Sequence, residues 1–325
     1  MPGHPARSVL FYMSILALLS SAGAASLSYL PTANPFLDPK DDPYNPLRYI
    51  TSNTLTAIAF AVVMVIALVH TFSTFRYGAK WMLAMVIGEY TYMAGFGCRF
   101  GLHYNPDSEA VYIAEYLFIV LSPCAFIAAN YVLLGRLSRH ISCTDHVLLP
   151  SQRLTFVFVS SDIITFLIQA IGGGMSVSRS VGQELVGSHI FLAGLVLQLA
   201  SFLTFSCIYA RFLYRIYTLV PNVWERDKEQ RWYFDWRALA GALAVSCIGI
   251  LIRSCYRVAE LSQGYLGYLI TTEAFFYVLD TLPLVVAVSV YAPFWPGRFI
   301  KNEVFDVEPK VSDLGPLEST MRHST

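Results

Sequence analysis

Residues 53–73 read NTLTAIAFAVVMVIALVHTFS, twenty-one positions without an Asp, Glu, Lys or Arg. Coiled as a helix at about 1.5 Å per residue, that length crosses a hydrocarbon core about 30 Å thick. Lipid offers the backbone no hydrogen bonds, so a spanning segment must satisfy its own N–H and C=O groups. The strict alternation of a barrel strand is missing, and the stretch predicts a membrane helix. Six further apolar stretches follow, at 81–101, 111–134, 154–172, 188–212, 238–258 and 266–292. The chain therefore reads as all-α, a polytopic membrane protein built as a seven-transmembrane-helix bundle.

Composition points the same way. Of 325 residues, 55% are hydrophobic and only 14% charged, with a mean hydropathy of +0.52. A soluble domain carries about 25% charged residues. Lys+Arg and Asp+Glu both number 22, so no basic excess is available to hold nucleic-acid phosphates.

The start, MPGHPAR followed by the apolar run 9–19 and SSAGAASLS, has the layout of a secretory signal peptide over 1–25. An uncleaved extra helix over 8–27 is the second reading. Residues 26–52, rich in Pro, Asp and Asn, then form an external segment. Residues 53–293 form the seven-helix domain, and 294–325 a cytosolic disordered tail. Orientation follows from basic residues. Fifteen Lys and Arg lie in the loops after the first, third and fifth spans and in the tail, against five on the other side. That places the mature N-terminus outside and the C-terminus in the cytosol.

Several chemistries have no sequence basis. There is no G-x-x-x-x-G-K-[ST] phosphate cradle and no G-x-S-x-G nucleophile turn. The seven His are scattered without H-x-x-x-H spacing, so no metal site and no cofactor are expected. Five of six Cys fall in the spans, which argues against a disulfide framework. No enzyme activity is expected.

What stands out is charge at membrane depth, where each group needs a partner or a hydrated cavity. Glu89 and Arg99 lie in the second span, Glu115 in the third, Asp162 and Gln169 in the fourth, and Gln198 in the fifth. Arg253, Arg257 and Glu260 follow one stripe of the sixth, and Glu273, Tyr277 and Asp280 one stripe of the seventh. The span 6 stripe also reads as a self-neutralising ion-pair network. Asp162, Gln169, Gln198, Glu273, Tyr277, Asp280, Glu89 and Glu115 are the candidates to line one vestibule opening outward, with Arg99, Arg253, Arg257 and Glu260 as structural ion pairs. Counting from a turn at Gly264–Gly267 places Glu273 level with the span 6 arginines and Asp280 deeper, without an arginine at its depth. Pro123 and Pro283 each remove a helix hydrogen bond.

GFGCR (95–99), SPCAFIAANYVLLGR (122–136), SSDIITFLIQAIGGG (160–174), GSHIFLAGLVLQ (187–198) and IRSCYRVAELSQGYLGYLITTEAFFYVLDTLP (252–283) resemble, in order, the fungal RTA-like lipid-translocating exporters, a family named for resistance to an aminocholesterol. The likeness covers roughly 44–293. It implies seven spans, a place in the plasma or vacuolar membrane, and export of sphingoid long-chain bases or resistance to toxic amphiphiles. Two departures stand out: Tyr92 occupies a position where the family usually has Glu, and Glu115 one where Gln is common. The expected partner is an amphipathic lipid or hydrophobic small molecule, and the expected function its translocation. A seven-helix lipid sensor is the alternative, although D-R-Y and N-P-x-x-Y are absent and the third span ends Gly135-Arg136-Leu137.

Overall fold

The computed structural model describes residues 36, 39–40, 45, 47–143, 151–176, 181–225, 235–264 and 267–300. The expected leader, 1–25, and the tail from 301 onward lie outside the described residues. Helices make up the fold, and no strand occurs among the described residues.

Five helices are long and apolar enough to cross a membrane: Asn53–Tyr77, Glu109–His140, Arg153–Met175, Leu185–Leu219 and Trp236–Ser262. The shortest has 23 residues, about 35 Å of rise. We name α1 Asn53–Tyr77, α2 Leu83–Tyr104, α3 Glu109–His140, α4 Ser151–Ser176, α5 Val181–Leu219 and α6 Trp236–Ser262. The seventh helical stretch, α7, covers 273–289 in three pieces: Glu273–Phe275, a π-helical Phe276–Thr281 and Leu282–Ser289. α2 carries Glu89, Arg99 and four glycines within 22 residues, and α7 is interrupted, so neither has the unbroken apolar length of the other five.

α7 begins seven residues later than the expected 266. Gly264 has φ +73, a left-handed conformation that ends α6, and Gly267 continues the turn with its N–H on the Gly264 carbonyl. Thr272 is extended, and the acidic Glu273 opens the helix where the helix dipole favours a negative charge. Pro283 stands two residues beyond the π segment, after Leu282. A residue without an N–H cannot continue a hydrogen-bond ladder.

Neighbours in sequence pack as hairpins, most extensively α4 with α5 and α2 with α3, while α3 and α6 are the most enclosed of the five long helices. Two glycines set the closest approaches. A Cβ on Gly172 would lie 2.4 Å from the Phe191 nitrogen, and one on Gly249 would lie 2.4 Å from the Pro283 carbonyl oxygen. Among the core contacts is a closed polar knot. Asn130 Nδ2 donates to Ser246 Oγ at 3.0 Å, and Tyr291 Oη donates to Asn130 Oδ1 at 2.9 Å. Apolar side chains such as Phe72, Phe75, Phe156, Ile164 and Leu185 point outward, as a lipid-facing surface requires. No disulfide joins the described cysteines.

The first residues of the expected tail are part of the fold. Trp295 is fully buried, its ring 5.1 Å from that of His70, and its indole N–H donates to the Gly78 carbonyl at 3.2 Å. Arg298 lies 4.4 Å over the Tyr77 ring.

Gly249 yields a paired test. Gly249→Leu should lower the melting temperature of the protein in detergent, at a cost of about 1–3 kcal/mol for overpacking. Gly241→Ala, on the same helix with open space at its Cβ, should leave it unchanged or raise it. Equal stability of Gly249→Leu and wild type would rule out the close α6–α7 contact.

Candidate functional site

At the end of the bundle where α1 begins, seven charged side chains from α2, α3, α6 and α7 form two linked clusters. The first centres on Asp280. Its Oδ1 takes the Nε of Arg257 at 2.6 Å and lies 3.1 Å from the Nε of Arg253. Arg257 also donates to Glu260 at 2.8 Å, and Tyr256 Oη donates to the other Glu260 oxygen at 3.1 Å. Arg253 spends a further N–H on the Ile119 carbonyl, at 2.9 Å. That carbonyl lies four residues before Pro123, which has no N–H to give it, so the proline inside α3 frees the acceptor that Arg253 occupies.

The second cluster centres on Arg99, which is 1% exposed. Its guanidinium donates to Glu115 at 2.8 Å, Glu273 at 3.1 Å, Tyr49 Oη at 2.8 Å and Tyr277 Oη at 3.2 Å. Glu273 accepts in addition the backbone N–H of Ser52, at 2.9 Å, where α1 starts. Burial pushes the Tyr49 phenol up to about 12 against the pull of Arg99, so it stays neutral. The Phe276 ring joins the clusters, 4.2 Å from Arg99 and 5.8 Å from Arg257. Between them lies a cavity of about 40 Å³ lined by Tyr49, Arg99, Glu115, Tyr116, Arg257 and Glu260, among others. It has room for water and none for a lipid.

The sequence expectation for the two α7 acids is reversed. Asp280, expected to lack an arginine at its depth, meets both span 6 arginines, and Glu273 meets Arg99 instead of Arg253 or Arg257. The cause is the late start of α7. Asp280 stands seven residues after Glu273, while Arg257 and Arg253 stand five and nine residues before Ser262. On antiparallel neighbours Asp280 thus falls level with the gap between the two arginines.

The remaining candidates do not join this cavity, so the single vestibule expected from the sequence divides. Glu89 pairs with His70 near the opposite end of α1, Oε1 to Nδ1 at 2.6 Å, both fully buried. Gln169 donates to Gln198 at 2.8 Å, and Gln198 donates to the Cys124 sulfur at 3.2 Å. Asp162 is 5% exposed, and neither of its carboxylate oxygens has a hydrogen-bond partner among the described residues.

His70, Tyr49 and Cys124 are contributors that sequence reading missed. A signal for His70 existed: it lies about as far before the Gly78–Ala79 turn as Glu89 lies after it, so an antiparallel α1–α2 hairpin brings them level. Tyr49 precedes the first helix and carries no such register. No group of three or more His, Cys, Asp or Glu placed to hold a metal ion occurs among the described residues.

Comparison with known proteins adds a family. A family model described as "RTA1 like protein" matches residues 85–303. The chain is similar to Protein RTM1 of Saccharomyces cerevisiae, at 31% identity over 212 residues covering 65% of each chain. It is similar to the sphingoid long-chain base transporter RSB1 of S. cerevisiae strain S288c, at 31% identity over 243 residues covering 64% of this chain and 62% of that one. Protein RTA1 of the same strain is 30% identical over 214 residues, covering 66% and 65%. The chain thus spans under two thirds of the length of these relatives. No solved structure matches it.

The two clusters differ in their tolerance of lost charge. Asp280→Asn leaves two buried arginines with Glu260 alone and should cost about 3–5 kcal/mol, read as a lower melting temperature in detergent. Glu273→Gln should cost distinctly less, because Arg99 keeps Glu115 and the Glu273 side chain is 17% exposed. A larger loss for Glu273→Gln than for Asp280→Asn would refute this division.

Proposed function

The chain belongs to the RTA1-like protein family, and from that premise we propose that it is a membrane transporter of amphipathic lipids of the sphingoid long-chain base type. One observation carries the reading: the buried clusters hold four acids, Glu115, Glu260, Glu273 and Asp280, against three arginines, Arg99, Arg253 and Arg257. The acid excess suits a ligand whose head is an ammonium group. A relative named as a sphingoid long-chain base transporter supports that choice.

In this reading all seven helical stretches cross the bilayer. The N-terminal side is external, the C-terminal side cytosolic, and the plasma membrane is the first candidate, with the vacuolar membrane second. The charged clusters then face outward. A long-chain base presents its ammonium to the acids while its tail stays against lipid along the apolar helix faces, which avoids most of the cost of moving either part into the wrong solvent. The cavity of about 40 Å³ admits no head group as it stands. Loading therefore requires Arg99 and Glu115, or Arg257 and Glu260, to part, the cationic head taking over the carboxylate that an arginine gives up. The reaction is translocation, with no bond made or broken.

Reconstituted vesicles containing the full chain should move a fluorescent long-chain base faster than protein-free vesicles, and should not move its neutral N-acylated analogue. Equal flux of both would remove the role of the acid excess, and saturable binding without flux would mark a sensor. On intact cells, protease added outside should spare a C-terminal tag. Its loss would invert the orientation and place the clusters inside.

A further inference from the structure

Asp162 sits eleven residues into a 26-residue helix, near the middle of α4, where water is scarcest. Its side chain faces inward while its neighbours Ile163 and Ile164 face out. Two helices pack against α4. From α3 come Tyr131, whose hydroxyl stands close to Asp162 and is itself without a hydrogen-bond partner, and Cys124. From α5 come Ser201, whose hydroxyl also stands close, and Gln198, three residues and so one turn away from it. α4 itself offers Thr165 and Gln169. None of these side chains is a cation. Rings of Tyr131, Phe158, Phe202 and Phe205 pack together on this side, with Tyr131 and Phe205 centroids 4.5 Å apart.

An ionised carboxylate at this place would be an unpaired charge in the membrane core, which Glu89, Glu115, Glu260, Glu273 and Asp280 avoid by pairing with His or Arg. A neutral carboxylic acid has no such difficulty and gains one O–H donor for the hydroxyls around it. Asp162 lines neither the cavity at the arginine clusters nor a second one, of about 10 Å³. That second cavity is lined by Gln198, Arg253 and Arg257. Ser201, Gln198 and this cavity thus make a broken polar line from Asp162 to the arginine clusters.

Resting on the transporter reading above, we propose that Asp162 is a proton-binding site in the core of the bundle, and that exchange of its proton couples a pH gradient to movement of the lipid. The chemistry is uptake and release of one proton at a carboxylate oxygen: R–COO⁻ plus H⁺ gives R–COOH, and no other reactant is needed. In the described state the carboxyl stands buried without a cation, the surroundings that favour its proton-bound form. Unloading requires water or Arg253 to reach the carboxylate along the polar line, which ties proton release to the rearrangement that opens the clusters.

The test uses the full chain in phosphatidylcholine vesicles. Infrared difference spectra should show, at neutral pH, the carbonyl stretch of a protonated carboxylic acid that Asp162→Asn removes and Asp162→Glu shifts. The asparagine keeps size and neutrality, so the variant should melt with wild type. Flux of the labelled base under an imposed pH gradient should exceed its flux without one in wild type and in Asp162→Glu, and the two should be equal in Asp162→Asn. No band lost in Asp162→Asn, or an undiminished gradient response in that variant, overturns the proposal. If wild type moves no base at all, the transporter reading falls, and the band, read without cargo, still decides whether Asp162 holds the proton. If Asp162→Asn does not fold, Asp162→Glu decides by the same two readouts: an unshifted band or an absent gradient response overturns the proposal.

Discussion

The carboxylate of Asp280, shared by Arg253 and Arg257, is the contact on which the arrangement of the helices depends. α6 brings two arginines to one stripe of a membrane helix and only Glu260 of its own to balance them. An arginine left alone in lipid is too costly to persist, so α7 must deliver an acid at that depth and on that side. This requirement fixes both the height and the rotation of α7. The π-helical turn holds Asp280 itself, Pro283 lies two residues beyond it, and Gly249 has no side chain, so the Pro283 carbonyl can come close. Phe276, in the same turn, places its ring where it meets Arg99 as well. One pairing therefore positions residues from four helices.

Much of this was legible in the sequence, and the part that was not has a physical cause. Apolar length found the helices, since the bilayer imposes it on any spanning segment. Which polar residues are buried was legible too: Arg99, Glu115, Asp162, Arg253 and Asp280 all lie inside, because a charge on a lipid-facing position would be expelled. Partnership was not legible. Depth is counted from the last turn, and a turn with Gly264 and Gly267 in it can be wider than its glycines suggest. An error of seven residues moves an acid about 10 Å along its helix, which exchanged the roles of Glu273 and Asp280. Nor does a sequence show which helices beyond neighbours touch, so the division of the polar residues into clusters and the α3–α5 group had no sequence signal. Where a hairpin turn is tight, as at Gly78 and Ala79, simple counting does find the His70–Glu89 pair.

The molecule distributes its polar groups by function of place. At one end, acids and arginines neutralise one another around a little water. At the other, His70 and Glu89 are sealed beneath Trp295, so the described residues just after α7, up to Ile300, belong to the fold. Between them Asp162 stands apart as an acid with no counter-charge among the described residues. Apolar faces on the outside and paired charges on the inside reverse the layout of a water-soluble protein, and the same cost of desolvation accounts for both.

Pro123 has a consequence that extends beyond its own helix. Judged by helix propensity it is the worst residue α3 contains, and exchanging it for alanine would repair the ladder. The repair would also make an N–H compete with Arg253 for the Ile119 carbonyl that now receives it. Positions 123 and 253 are 130 residues apart, yet they meet at one carbonyl oxygen, and the effects of changing both are expected not to add.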